Sequence, residues 1–142
     1  MNTDAAPPPA SHEEWLGQFG PTRALREKEA KLIKKLAAGT PLESKIIDQL
    51  ATILVQDMPD GGMGSLYFWN GPRKNRRLGK TLAEGCFSDA DNTPVYTYLD
   101  LDEAGDLFEL DMWKVDSSAL LRFPEPDDLQ VTNRTEPEPP QK

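Results

Sequence analysis

The chain has one cysteine and one histidine, so it has little of the two residue types that most often carry nucleophilic, redox and zinc chemistry. Cys86 has no second cysteine to pair with. That excludes an intrachain disulfide and makes a reducing compartment the simpler expectation. His12 sits in MNTDAAPPPASHEE, a stretch too polar and proline-rich to join a core. No Ser-His-Asp or Cys-His nucleophile can then be assembled from folded residues, and a zinc site lacks ligands. Long apolar runs are also missing. None has the form of a signal peptide and none is long enough to span a bilayer. A soluble, cytoplasmic protein without a cofactor is expected, and no internal repeat is visible.

What is present is acidic and unevenly spread. The 142 residues carry a formal net charge of −8, with a sequence pI near 4.6. Residues 1–83 hold 12 Lys and Arg against 9 Asp and Glu, whereas residues 84–142 hold 4 against 15. That acidic half argues against nonspecific binding to nucleic acid or an anionic membrane and suits a basic partner or solubility alone. Much of the proline, 13 residues in all, lies at the two ends. Residues 1–20 and 131–142 are expected to be disordered tails around a single domain at 21–130.

Along that domain, TRALREKEAKLIKKLAA (22–38) predicts a helix, with Leu25, Leu32, Ile33 and Leu36 on one face and Gly39 as the stop. Thr40-Pro41-Leu42-Glu43 reads as a capping box that starts a second helix at 41, with Leu42, Ile46 and Leu50 as its buried stripe. Strands are expected over 52–58 and 64–69 around the turn Pro59-Asp60-Gly61-Gly62. The alternative keeps 52–55 in the helix. A strand over 78–88 and another from Val95 follow. Leu120, Leu121 and Phe123 are expected to pack on the rest, with Pro124 and Pro126 ending regular structure.

The stretch YLDLDEAGDLFELDMWKVD (98–116) admits two readings. A calcium loop starting at Asp100 has Asp102 and Gly105 where they are required, but Ala104 at position 5 and Asp111 at position 12. Both flanks alternate with period two. Val95, Thr97, Leu99 and Leu101 point one way, as do Phe108, Leu110 and Met112 on the far side. That is a hairpin turning at Glu103-Ala104-Gly105-Asp106. The architecture expected is α+β: an N-terminal helical hairpin packed on a four- to five-stranded antiparallel meander sheet. The sheet's other face would be polar, with Glu109, Asp111 and Trp113 in one row.

The stretches GGMGSL, RRLGKTLAEGCFSDADNTPV and LDLDEAGDLFELDMWKVDSSAL resemble a small bacterial domain family of unknown function. Its members share the patterns GxTLAExxFxDADGxPV and GxLxELDxWKVDxSxL. The likeness covers roughly 23–130 and is strongest over 61–121. Asn92 stands where the family often has Gly, and Asn also tolerates positive φ. The resemblance implies one unit and a bacterial source, and supplies no catalytic residues.

Gly79-Lys80-Thr81 resembles the end of a phosphate loop, but Lys74 stands where the earlier glycine is needed and the context is a strand. Arg73, Lys74, Arg76 and Arg77 form the one dense basic cluster. They are candidates for anion binding, or a solvated loop guarding a sheet edge. The carboxylates are denser: Asp89, Asp91, Asp100, Asp102, Asp106, Glu109, Asp111 and Asp116. Glu109 and Asp111 lie ~7 Å apart on one strand face, a spacing compatible with acid–base work but equally with a wet face. The expectation is a non-enzymatic, monomeric or weakly dimeric interaction protein. Asp100, Asp102, Glu109, Asp111, Trp113 and Asp116 would bind, and block, a protein with a basic surface, as an immunity protein blocks a toxin or nuclease. The alternatives are a small-ligand-binding or hydrolytic domain using the carboxylates, and a DNA-mimic inhibitor.

Overall fold

The computed structural model describes residues 20–69 and 76–135. Within them the chain forms β1 (Arg23–Ala24), α1 (Glu27–Ala37), α2 (Glu43–Leu50), β2 (Leu54–Asp57), β3 (Leu66–Trp69), β4 (Leu78–Ser88), β5 (Pro94–Asp102), β6 (Leu107–Lys114), a 3-10 turn (Pro126–Asp128) and β7 (Gln130–Arg134). The strands make one antiparallel sheet in the order β1-β2-β3-β6-β5-β4-β7. The sheet is therefore seven-stranded, which corrects the expected four or five. It is not a simple meander either, because β3 pairs with β6 and the β4-β5-β6 run folds back beside it.

The two extra strands are edges with little sequence signal. β1 is two residues long, in a segment whose apolar spacing suggested helix from 22. Arg23 there bonds Glu29 and Asp57, each at 2.8 Å, fixing the extended entry to α1. β7 reads QVTNR, too polar to announce itself, and runs into residues expected to be a tail. The expected capping box at α2 is absent. Thr40 instead donates its hydroxyl to the Ala37 carbonyl, and Leu42 precedes the first helical turn.

Both helices lie on one face of the sheet. Leu32, Ile33, Leu36, Ile46 and Leu50 pack with Val55, Phe68, Val95, Leu99, Leu110 and Met112, all buried. Phe108, expected in this row, leaves it. A register shift between Asp100 and Leu101 inserts one extra residue into β6, and Phe108 joins Tyr67, Trp69 and Met58 in a second cluster. The opposite face carries no helix among the described residues.

Gly79 has a packing role rather than a phosphate-binding one. It sits at a bulge between Leu78 and Lys80, where a Cβ would lie 2.4 Å from the Asp102 carbonyl oxygen. Gly79→Ala must push the ends of β4 and β5 apart. We expect a loss of about 1–3 kcal/mol in urea unfolding, with faster amide exchange around 101–106.

Candidate functional site

The sequence candidates divide into residues committed to the fold and residues left open. Arg76 belongs to the first group. Its side chain is 2 % exposed, and the guanidinium donates to Asp102 Oδ2 at 2.8 Å, Tyr67 Oη at 2.8 Å and the carbonyls of Phe68 and Leu107 at 2.8 and 2.6 Å. It also stands 5.2 Å from the centroids of the Tyr67 and Phe108 rings. Asp102 accepts in addition from the Ala104 and Asp106 N–H groups, which closes the β5–β6 turn. Neither residue can serve as the surface site expected of it. Arg77 is exposed. Arg73 and Lys74 lie outside the described residues.

A second buried pair sits at the end of β6. Lys114 occupies the inward row after Leu110 and Met112, and its ammonium is 2.8 Å from Asp89 and 2.9 Å from Asp91. Asp89 also accepts from the N–H groups of Ala90, Leu121 and Arg122. Burial works to raise the Asp89 carboxyl. The Lys114 ammonium and the three amides outweigh it and hold the group at about 2. Asp116 is exposed and binds the Ser118 N–H and hydroxyl, which makes it a turn former.

The remaining acids gather on the helix-free face. There the cross-strand pairs of β5 and β6 are Tyr96 with Trp113, Tyr98 with Asp111 and Asp100 with Glu109. Glu84 joins from β4 opposite Tyr98, and Thr81 donates to Asp100 at 2.7 Å. Tyr96 and Trp113 stack with ring centroids 5.8 Å apart, and both are exposed, at 38 % and 44 %. Among the described residues no Lys or Arg forms an ion pair with Glu84, Asp100, Glu109 or Asp111.

Burial of these carboxyls has its expected effect, and like charge adds to it. Burial, then repulsion from Asp100 and Asp111, pushes Glu109 up to about 7. Asp100 and Asp111 are also raised, chiefly by burial and against hydrogen bonds from Thr81 and Ser65 respectively. Tyr98 is raised too, by burial and by Glu84. The face can therefore hold a proton near neutrality, or exchange it for an external cation.

A hollow of about 380 Å³ is lined by Leu78, Gly79, Lys80, Leu101, Asp102, Glu103 and Gly105. A second, of about 250 Å³, lies along β7. Neither is lined by Glu109 or Asp111. Among the described residues no group of three Asp, Glu, His or Cys side chains has metal-holding geometry, and no helix is long and apolar enough to cross a membrane. Sequence reasoning missed Glu84 as a member of this face, although its place one strand away follows once the β4–β5 register is known. It also missed Lys114 and the fold-holding role of Asp89.

The model of a domain of unknown function (DUF6984) matches residues 22–124. No curated protein and no solved structure matches the chain.

Two outcomes test this division. Arg76→Met removes one partner of a buried pair and should cost about 3–5 kcal/mol in urea unfolding. Glu109→Gln should act in the opposite sense. Because the folded state holds the Glu109 proton more tightly than the unfolded chain, wild-type stability falls as pH rises from about 4.5 to about 7. The Gln variant lacks that fall. It should match wild type near pH 4.5 and exceed it by about 1–2 kcal/mol at pH 8, allowing for screening on a half-exposed group.

Proposed function

Since the chain belongs to this family of domains of unknown function, we propose a function read from its own surface: a small non-enzymatic protein that binds a basic protein partner through the helix-free face of its sheet, at the end where Tyr96 and Trp113 are exposed. One observation carries the reading. Glu84, Asp100, Glu109 and Asp111 crowd together on that face with no ion pair among the described residues, although the fold neutralises Asp89, Asp91 and Asp102 with Lys114 and Arg76. A partner's Lys or Arg side chain would relieve the mutual repulsion, and the field of the acidic half would steer its approach.

The exposed Tyr96–Trp113 pair at one end of the acids supplies the apolar anchor such an interface needs. The binding set is therefore Glu84, Glu109, Asp111 and Trp113, with Asp100 behind them. Asp102 and Asp116 drop out, since the turns of the fold already use their carboxylates. The finer form of the reading is an immunity-type inhibitor, acting in the cytoplasm, that neutralises a toxin or nuclease with a basic active site. It rests on the size and charge of the chain.

The test is capture from a lysate of the cells that make the protein, at low and then high salt, with two equally charged variants. Glu84→Lys with Glu109→Lys reverses the face. Asp48→Lys with Asp127→Lys makes the same charge change elsewhere. We expect one basic protein to bind wild type and the second variant in stoichiometric amount, to be released by salt, and to be lost at least ~10-fold from the first, the scale of an opposed charge at an interface. Equal capture by both variants, or no capture by wild type, would sink the reading.

A further inference from the structure

The helix-free face is not uniformly acidic; its chemistry changes in steps along β5 and β6, from the exposed Tyr96 and Trp113 to the buried Asp100. The first cross-strand pair is aromatic with aromatic (Tyr96 and Trp113), the second aromatic with acid (Tyr98 and Asp111), the third acid with acid (Asp100 and Glu109). Successive pairs on one face are ~7 Å apart, so ring and carboxylate are neighbours within the reach of one long side chain. The first pair is the most exposed part of the row, and its rings are already stacked with 28° between their planes. A cationic group laid along this face meets a π-surface and a carboxylate together.

That combination discriminates between the two basic side chains. A guanidinium is planar, stacks on aromatic faces and pairs with a carboxylate through two parallel N–H bonds. An ammonium is a strongly hydrated point charge that gains little from the rings. We propose that the occupant of this face is an arginine-bearing segment of the partner protein, its guanidinium stacked on Trp113 or Tyr96 and bonded to Asp111. This rests on the reading of the face as a protein-binding surface and deepens it by naming the recognised group.

Binding is also linked to protons. Glu109 faces Asp100 across the strand pair and Asp111 two residues on, with Glu84 on β4 and Tyr67 on β3 on either side; Asp60, in the turn before β3, acts on Asp111. A neighbouring guanidinium favours the ionised form of Glu109, so docking expels the proton held there near neutral pH. Affinity therefore rises from pH 6 to pH 8.

The probes are two capped peptides, hexa-arginine and hexa-lysine, titrated into the full chain at fixed ionic strength. Affinity is followed by calorimetry and position by amide chemical shifts. We expect hexa-arginine to bind roughly 3–5-fold more tightly, the scale of an exposed cation–π contact. Shifts should centre on residues 96–100 and 109–113, and affinity should increase between pH 6 and pH 8. Trp113→Ala should remove the preference and leave hexa-lysine binding unchanged. Wild-type shift mapping decides the matter independently if that variant misfolds. Equal affinity for the two peptides on this face overturns the arginine inference and leaves the protein-binding reading standing. Binding of neither peptide to this face overturns both. A preference for arginine with shifts elsewhere on the molecule overturns the inference as well.

Discussion

A buried ammonium at the end of β6 holds together parts of the chain that are far apart in sequence. Lys114 reaches Asp89 and Asp91 in the turn between β4 and β5, and the Ala119 carbonyl at 3.3 Å. Asp89 in turn receives the amides of Leu121 and Arg122, at 2.8 and 3.1 Å. The chain after β6 is thereby fixed at the end of the sheet. From there Leu120 and Phe123 pack against the core, the Pro126 carbonyl accepts from Lys35 on α1, and β7 is delivered to the free edge of β4. Burying an ion pair is expensive, and it is tolerable here because the carboxylate's lone pairs are met by several donors. Its value lies in position: it determines where the last strand goes.

Arg76 does the same work at the opposite end of β5. Its fork reaches a carboxylate, a phenol and two backbone carbonyls at once, which an ammonium could not match. With Arg23 between Glu29 and Asp57 at the β1 edge, each end of the sheet is tied by a cation that satisfies several acceptors. The cations of the fold are thus spent at strand ends and turns. Among the described residues none pairs with the acids in the middle of the helix-free face, where Glu109 and Asp100 share a hydrogen bond instead.

How much of this was legible follows from the kind of signal each residue gives. The period-two rows of Val95, Thr97, Leu99 and Leu101 and of Leu110 and Met112 report burial directly, and both helices and the 103–106 turn were readable for the same reason. β1 and β7 were not, since an edge strand of two or five mostly polar residues has no apolar period. Arg76 was misread because a run of basic residues looks solvated, and nothing local says that one of them folds inward. Lys114 did leave a trace: it continues the inward row two residues after Met112, the place where a charge must find a buried partner. The displacement of Phe108 depends on a bulge that only the strand register reveals.

The same division bears on what the family-like stretches encode. In FSDADNTPV the two aspartates close the Lys114 site, and in ELDMWKVD the lysine completes it, so these residues are accounted for by folding alone. Glu84 of TLAE, Glu109 and Asp111 of ELD, and Trp113 of WK are not. Burying like charges together raises the energy of the folded state, and an exposed indole gains nothing from the core. Hydrophobic or hydrogen-bonding residues at these places would give a more stable sheet. Among the described residues, this is a destabilising arrangement in the middle of an otherwise well-neutralised fold, the kind of local conflict that marks a surface shaped by something other than stability.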